Sequence, residues 1–197
     1  MTKKTKPEVF IIESLNLQDE NDHLQEGDLI SRMLHLVGKA GTQYYYIRTE
    51  RELEEIVDLF DESDCRYLHI SCHANRTGIA TTFDNVGYDE LGTMLRPCLD
   101  GRRVFVSACE MATAGFARQI LPNTGCYSLI GPKRKISFDD AAAFWVSFYH
   151  LMFKLNADTM KSQDLRRRIR ELSKIYEEPI NYYAIKSDSE LGYVKIM

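Results

Sequence analysis

Long hydrophobic runs are missing from this sequence. No stretch approaches the ~20 consecutive apolar residues that cross a bilayer. The apolar segment behind the basic first six residues, 9–12 (VFII), is too short for the core of a signal peptide. We therefore expect a cytoplasmic protein with no membrane partner.

The chain also lacks a cysteine framework and a phosphate-binding loop. Its five cysteines are odd in number and irregular in spacing, which favours reduced thiols over disulfides in a chain without an export signal. No G-x-G-x-x-G or Walker sequence occurs, so a nucleotide-binding or other small-molecule-binding domain is the weakest function class considered. The net charge of −4 argues against a nucleic-acid partner, because non-specific binding needs clustered cations.

The composition is that of an ordinary globular protein, and strand patterns alternate with helix patterns. Of its 197 residues 44% are hydrophobic and 27% are charged, which fits a single domain over residues 1–197. Strand patterns occur at 9–14, 43–48, 66–72, 103–108, 126–130, 181–187 and 192–197. Helix patterns occur at 27–38, 50–60, 89–96, 112–121, 137–154 and 158–176. This alternation predicts an α/β fold in which helices cover both faces of a mostly parallel sheet.

Two of the predicted strands end in chemically reactive side chains. The segment 66–72 runs into His73 and Ala74, and the segment 103–108 runs into Cys109. In an open parallel sheet, ligands bind beyond the carboxyl ends of the strands, so His73 and Cys109 reach the same rim if their strands are neighbours. An imidazole at hydrogen-bond distance can take the proton of a thiol and make the sulfur a nucleophile.

The position of Cys109 before a helix predicted to begin at Ala112 adds a second effect. Unpaired backbone N–H groups and the helix dipole stabilise a thiolate at a helix N-terminus. The backbone amides of Ala74 and Cys109 are then candidates for an oxyanion hole. A simpler interpretation stays open, because a cysteine at the end of a buried strand is most often a small apolar residue.

A metal site is another interpretation of the segment that contains Cys65, His69, Cys72 and His73. Residues four apart in a strand are about 13 Å apart. Zinc needs its ligands at ~2 Å. His69 and His73 therefore cannot hold one ion, and we expect neither a metal nor a cofactor.

The sequence resembles the CHAT domain in three stretches, LHISCHANRTGI (68–79), VFVSACEMATAGFARQIL (104–121) and YSLIGPKRKISFDDAAAFWVSFYHLMF (127–153). CHAT domains belong with caspases, separases and gingipains among the caspase-fold cysteine peptidases. Their pattern is a His-Gly at the end of one strand, Ser-Ala-Cys at the end of the next, a glycine-containing strand, and an Asp that opens a helix. The resemblance covers residues 66–187 and implies a three-layer caspase-like sandwich.

The resemblance also implies roles for individual residues. His73 matches the catalytic histidine, which polarises the reaction and protonates the leaving amine, and Cys109 matches the nucleophile. No third acid is required in such enzymes. Ala74 departs from the pattern, because the family has glycine there and glycine permits backbone angles that alanine resists. The caspase signature Gln-Ala-Cys is absent, so specificity for aspartate at the cleavage site does not follow.

Two acidic residues are candidates for substrate binding. In related peptidases the loop before the long helix borders the pocket for the residue that precedes the cut. Asp139 would favour lysine or arginine there through a charge-assisted hydrogen bond. Capping of the helix by Asp139 and Asp140 accounts for these residues without a binding role. Glu110, directly after Cys109, is a weaker candidate for the same cleft.

The favoured hypothesis is a cytosolic cysteine endopeptidase of the CHAT or caspase-like type, with a His73–Cys109 dyad and a protein substrate. Members of the family are often fused to a sensor or repeat domain, so the resemblance implies a regulatory protein or sensor that acts in trans. Members also occur in bacterial defence systems. The alternative is a catalytically inactive caspase-fold protein-interaction module.

Overall fold

The structure is a computed structural model that describes residues 4–197. Its strands are β1 (Lys6–Ser14), β2 (Gln43–Tyr46), β3 (Cys65–Ala74), β4 (Gly78–Ala80), β5 (Asn85–Gly87), β6 (Arg103–Ser107), β7 (Ser128–Pro132), β8 (Ile180–Ile185) and β9 (Tyr193–Lys195). Its helices are α1 (Leu17–Asn21), α2 (Glu26–Leu36), α3 (Glu50–Glu62), α4 (Tyr88–Leu95), α5 (Ala114–Ile120), α6 (Phe138–Leu155) and α7 (Ser162–Ile175). A short 3-10 turn, Arg96–Cys98, follows α4.

The central sheet has the strand order β2-β1-β3-β6-β7-β8-β9. The first five strands in this order pair in parallel, and β8 and β9 complete the sheet in antiparallel pairs. Strands β4 and β5 form a hairpin that extends from the end of β3. The mostly parallel sheet predicted from the alternating pattern is confirmed.

Helices cover both faces of the sheet and create two separate cores. Helices α3, α4 and α5 bury their apolar sides on one face, with Leu53, Leu91 and Phe116 at the centres of the contacts. Helices α2, α6 and α7 cover the other face, where Trp145 and Tyr149 pack over β3 and β6. No helix within residues 4–197 is long and apolar enough to span a bilayer.

The helix ends follow local sequence signals where such signals exist. Thr49 and Glu52 form a reciprocal capping box at the start of α3, and the Ser137 hydroxyl accepts a hydrogen bond from the Asp140 amide at the start of α6. The sequence predicts a helix from Ala112, but the structure differs by two residues: Thr113 is the N-cap and α5 begins at Ala114. Helix α1 has no counterpart among the sequence predictions.

The amino end of the sheet is closed by cations that bind backbone carbonyls. Arg102, buried just before β6, donates hydrogen bonds to the carbonyls of Phe60 and Ser63, both at 2.7 Å. The last carbonyls of a helix have no partner within the helix, so Arg102 satisfies the end of α3. Lys39 donates in the same way to the carbonyl of Ala157 at 2.5 Å. The carbonyl groups that these two cations bind therefore need no further hydrogen-bond donor.

Candidate active site

Strands β3 and β6 lie side by side and bring His73 and Cys109 to one cavity. Ser71 pairs with Ser107 in the parallel register, and His73 and Cys109 each follow two residues later. Neighbouring strands are about 4.8 Å apart, so both side chains reach the same rim. The cavity has a volume of about 50 Å³ and is lined by Glu26, Cys72, His73, Ser107, Cys109, Ile136, Ser137, Phe138 and Ala141.

Cys109 lies in a tight turn and not at a helix N-terminus. The amide of Met111 donates to the carbonyl of Ala108 at 3.3 Å, which closes a turn over Cys109 and Glu110. Helix α5 starts only at Ala114, with its N-cap at Thr113. The prediction that a helix dipole stabilises the Cys109 thiolate is therefore wrong, because three residues separate Cys109 from the N-cap.

Cys109 nevertheless differs from every other cysteine of the chain. Cys65, Cys72, Cys98 and Cys126 are buried, whereas Cys109 is half-buried. Burial raises the pKa of the Cys126 thiol to about 12 and also raises the pKa of Cys72. The Cys109 thiol donates to the carbonyl of Ile136 at 3.8 Å. Among the five thiols it is the most exposed.

Glu110 occupies the strained position of the same turn. Its φ is +54°, in the left-handed region that residues other than glycine seldom adopt. Its carboxylate pairs with Arg76, in the connection after β3, at 3.4 Å. Glu110 therefore sits at the rim with an exposed cation as its partner, and it does not line the cavity.

His73 is held by an acidic residue that the sequence predictions did not include. Nε2 of His73 lies 2.5 Å from Oδ2 of Asp19 in α1, and its ring meets the ring of Phe138 edge to face at 5.6 Å. The amide of Asn16 donates to the same carboxylate oxygen at 2.7 Å, and its carbonyl oxygen accepts the Asp19 backbone N–H at 2.9 Å. Asn16 thus fixes Asp19 at both ends.

This contact decides which ring nitrogen of His73 is available for chemistry. Nε2 also lies 3.2 Å from the amide nitrogen of Asn16, but the Asp19 carboxylate is closer and can only accept, so we assign the tautomer in which Nε2–H donates to Asp19. Nδ1 is then unprotonated in the neutral ring and is the nitrogen that can accept a proton from a thiol. Asp19 therefore orients the imidazole in the tautomer that a general base requires.

The sequence contained a signal for Asp19, but no motif. Strand β1 lies next to β3, and Ser14 pairs with Cys72. Residues that directly follow β1 therefore fall at the same rim as His73, and Asn16 and Asp19 are the polar ones that reach it. Recognising this requires the strand order, which alternation along the chain does not provide.

The backbone at Ala74 accommodates a residue other than glycine. Among the described non-glycine residues, a positive φ occurs at His23, Glu110, Asn123 and Glu177, and Ala74 is not one of them. Because Asn75 donates its amide to Gly78 in the β3–β4 pair, the preceding amide of Ala74 points to the opposite side of β3. That side faces β6, since the loop after β4 contacts the end of β1 through Ser14 and Leu15.

The lining of the cavity includes one buried carboxyl group, that of Glu26. Glu26, the first residue of α2, is 2% exposed, and its Oε1 finds no partner within residues 4–197. Burial raises the pKa of Glu26 to about 8, and the nearby Ser107 hydroxyl opposes this shift without reaching hydrogen-bond geometry. Behind the wall, Nε2 of His69 lies 3.7 Å from Glu26 Oε1. Burial lowers the pKa of His69 to about 3, so this imidazole is uncharged at neutral pH.

A second buried carboxyl group, that of Glu13, has partners. It accepts the backbone N–H of Gly27 and the hydroxyl of Tyr44, both at 2.8 Å. Burial raises its pKa to about 7, and these two hydrogen bonds limit the shift. Glu13 therefore anchors the start of α2 to β1, and α2 in turn places Glu26 at the cavity.

Asp139 and the basic loop 133–135 lie outside the cavity lining. Asp139 is exposed in the first turn of α6, where hydrogen bonds from Ser137 and backbone amides lower its pKa. The segment before α6 does border the cavity, through Ile136, Ser137 and Phe138. A role of Asp139 or Glu110 in substrate binding stays a prediction.

Comparison with known proteins identifies the fold. No family profile and no curated protein matches this sequence. Among solved structures, a secreted C11 cysteine protease from Bacteroides thetaiotaomicron, bound to an irreversible peptide inhibitor, is similar over 91% of this chain, with a TM-score of 0.61 and 7% identity. The Arg-specific cysteine proteinase gingipain R is similar over 89% of this chain, with a TM-score of 0.57 and 12% identity. Caspase-1 from Spodoptera frugiperda is similar over 99% of this chain, with a TM-score of 0.50 and 13% identity.

These neighbours confirm the predicted caspase-like fold. The chain spans 66% of the C11 protease, 44% of the gingipain and 85% of the caspase. At such low identity the similarity establishes the fold and not the activity. The CHAT type and the His73–Cys109 dyad stay predictions.

Proposed function

We propose that this protein is a cytoplasmic cysteine endopeptidase of the CHAT type that hydrolyses peptide bonds in a protein substrate. The observation that carries the proposal is the common cavity of Cys109 and His73, with Asp19 at hydrogen-bond distance behind the imidazole. A cysteine that only fills space in the core would be buried. Cys109 is half-exposed instead, and it lies beside a histidine that a carboxyl group orients. The caspase-like fold of the chain is that of its cysteine-protease neighbours.

In the proposed reaction, Nδ1 of His73 takes the thiol proton and the sulfur of Cys109 attacks the carbonyl carbon of the substrate. The amides of Ala74 and Cys109 donate hydrogen bonds to the oxyanion of the tetrahedral intermediate. The C–N bond then breaks, the protonated imidazole gives its proton to the leaving amine, and a thioester remains. Water, deprotonated by His73, hydrolyses the thioester and restores the thiol.

Asp19 acts through His73 and is a positioning residue. Its hydrogen bond to Nε2 leaves Nδ1 as the ring nitrogen that accepts the thiol proton, and the carboxylate favours the imidazolium that forms during each proton transfer. Asn16 holds this carboxylate in place. The resemblance to CHAT domains implied a dyad without a third acid. We propose instead that Asp19 joins His73 and Cys109 as a positioning residue.

Covalent labelling tests the proposal directly. A set of peptidyl chloromethyl ketones with different terminal side chains is incubated with the purified protein, and intact mass and peptide mapping locate the adduct. We expect a single adduct on Cys109, although the chain has five cysteines. The adduct should be absent from Cys109→Ala, strongly slowed in His73→Ala, and unchanged in His150→Ala, which alters an exposed histidine of α6. Labelling that is equal in His73→Ala and the native protein would refute the dyad.

The inactive-module alternative has one observation in its favour. The cavity holds about 50 Å³, and the Cys109 thiol is engaged by the Ile136 carbonyl. A site closed in this way also fits an enzyme that waits for an activator. In the inactive case, Cys109→Ala should retain the biological effect of the protein, whereas a peptidase should lose it.

We also propose that a protein partner in trans opens the site. Three exposed cations, Lys133, Arg134 and Lys135, directly precede Ile136. An acidic surface that binds these cations would draw the Ile136 carbonyl away from Cys109. An extract of the source cells should therefore accelerate labelling of the native protein but not of a Lys133→Glu/Arg134→Glu/Lys135→Glu variant. Equal acceleration of both proteins would contradict this route of activation.

A further inference from the structure

We infer that Glu26 forms the base of the pocket for the substrate side chain that precedes the cleaved bond, and that this side chain is a lysine. The inference rests on the proposed peptidase function and extends it to a substrate class. It replaces the surface residue Asp139 with a buried one as the source of specificity.

Position is the first argument. Glu26 and Ser107 line the same cavity as Cys109 and His73, and Ser107 lies two residues before the nucleophile on β6. A peptide whose carbonyl carbon meets the Cys109 sulfur carries its preceding side chain on the adjacent Cα atom. The cavity beside the sulfur is therefore the place that this side chain enters, and Glu26, which is 2% exposed, is part of its lining.

Unsatisfied hydrogen-bonding capacity is the second argument. The carboxyl group of Glu26 and the hydroxyl of Ser107 are buried close to each other, and neither Glu26 Oε1 nor Ser107 Oγ makes a hydrogen bond of good geometry among residues 4–197. An unpaired buried polar group is costly, so two of them in one cavity indicate that a ligand group completes the set. A lysine ammonium group offers three donors and no acceptor, which matches a carboxylate and a hydroxyl.

The missing counter-charge is the third argument. His69 is the one basic side chain within 4 Å of Glu26 in the described part of the chain, and burial keeps this histidine neutral. A buried carboxylate without a cation is strongly disfavoured, whereas a hydrogen-bonded pair is tolerated. A substrate cation supplies the absent charge, and the N-terminal end of α2 favours the ionised form of its first residue. The carboxyl proton of Glu26 is released to solvent as the ammonium enters.

The walls of the cavity select for the stem of the side chain. Ile136, Phe138 and Ala141 contribute apolar surface to the lining, which suits the four methylene groups of lysine. A cavity of about 50 Å³ accepts a compact ammonium group more readily than the broad planar guanidinium of arginine. An aspartate or glutamate would place a second negative charge against Glu26.

Four chloromethyl ketones test the inference, with the sequence Ala-Ala-X, where X is lysine, norleucine, arginine or glutamate. Norleucine has an unbranched side chain of similar length without the ammonium group, so the lysine-to-norleucine ratio of Cys109 labelling rates isolates the charge. Charge-assisted hydrogen bonds of this kind correspond to about a 10- to 100-fold preference for lysine. In Glu26→Gln, which preserves size and shape, the ratio should fall to near unity. Ser107→Ala should lower it by less.

Asp139→Asn is the matched control, since it removes an acid from the neighbouring helix start outside the cavity lining. It should leave the ratio unchanged, and a loss of preference in this variant but not in Glu26→Gln would overturn the inference. Iodoacetamide, which has no side chain to bind, reports whether Cys109 is accessible in every variant. If Glu26→Gln does not fold, the inference is tested by the lysine-to-norleucine ratio of the native protein, which should be high, and by that of Ser107→Ala, which should be lower.

The remaining outcomes separate the inference from the proposed function. Labelling by all peptidyl reagents at similar rates, or fastest labelling with glutamate or norleucine, would overturn the lysine pocket while leaving the peptidase intact. Labelling by iodoacetamide but by none of the peptidyl reagents would overturn both.

Discussion

Two histidine–carboxyl pairs lie on the same face of β3, four residues apart, and they differ in almost every physical respect. His73 at the rim is 39% exposed and meets Asp19 at 2.5 Å. His69 in the interior is fully buried and lies 3.7 Å from Glu26, which is too far for a hydrogen bond. Residues 69, 71 and 73 share a face because side chains alternate along a strand.

The difference shows that burial and partners, not residue type, decide what such a pair can do. At the rim, the amide of Asn16 donates to the Asp19 carboxyl group, which in turn contacts His73. In the interior, desolvation raises the pKa of Glu26 and lowers that of His69, so the pair stays uncharged. The first pair suits proton transfer, and the second suits the reception of an external charge.

Removing the rim histidine should have the largest effect. His73→Ala eliminates the group that accepts and returns protons, so we expect kcat/KM for a peptide substrate to fall about 10²- to 10⁴-fold. A fluorogenic peptide assay measures this loss, and circular dichroism should show an unchanged fold because His73 is partly exposed. Full activity of His73→Ala would show that His73 is not the group that transfers protons.

The interior pair should appear in the pH dependence of stability. The pKa of Glu26 rises from 4.5 to about 8 on folding, so its protonated form favours the folded protein, and stability is lost as pH rises from about 4.5 to 8. The pKa of His69 falls from 6.5 to about 3, so stability is lost as pH falls from about 6.5 to 3. Other groups near Glu26 are Glu13, Ser107 and Cys72, and the raised pKa of Glu13 adds to the loss at higher pH.

Urea unfolding at a series of pH values measures this prediction. Because Glu26 and Glu13 both lose stability above about pH 4.5 and His69 offsets only one of them, the free energy of unfolding of the native protein should be greatest near pH 4.5 and fall as the pH rises. Glu26→Gln should remove a loss on the order of 4 kcal/mol at pH 8, and leave the acid side unchanged. Asp139→Asn is the control, since its exposed acid should not affect the alkaline side. An unchanged alkaline slope in Glu26→Gln would show that its carboxyl group is not desolvated.

Asp19→Asn should have an intermediate effect on catalysis. The amide cannot accept the Nε2–H with the strength of a carboxylate, so the ring loses its orientation and kcat should fall about 10²-fold. KM should stay close to the native value, because Asp19 does not line the cavity. Asp22→Asn, at the other end of α1, serves as the control. A change confined to KM would assign Asp19 to substrate binding instead of positioning.

Glu110→Gly should have the smallest effect of these substitutions, both on stability and on the labelling of Cys109. Glu110 is also a rim carboxyl group, but its partner is the exposed Arg76 and its φ is positive. Glycine relieves a left-handed cost of roughly 1 kcal/mol, while loss of the surface ion pair costs at most about that much. We expect a melting temperature within a few degrees of the native one and unchanged labelling of Cys109. Slower labelling would support the predicted role of Glu110 in the cleft.

The sequence indicated the histidine and the cysteine of the cavity, but not the two acidic residues beside them. His73 and Cys109 could be predicted to share a cavity because each comes at the end of a strand with a clear buried pattern. Asp19 could not, because α1 has only five residues and no buried side chain, and therefore no apolar periodicity. Glu26 precedes the helix pattern that was recognised at 27–38, and nothing in that pattern tells which end of the helix approaches the rim. Asp139 drew attention because it is close in sequence to a family motif, whereas the packing of α2 against α6 determines which acid lies inside.

The extended backbone at Ala74 has a consequence for how related chains are recognised. Because this position needs no left-handed angle, the proposed oxyanion contact depends on where the Ala74 amide points and not on the absence of a side chain. In the proposed mechanism, alanine therefore serves at this position as glycine would. A search pattern that insists on a His-Gly pair would miss this chain, although the backbone amide that we propose as the oxyanion donor is present.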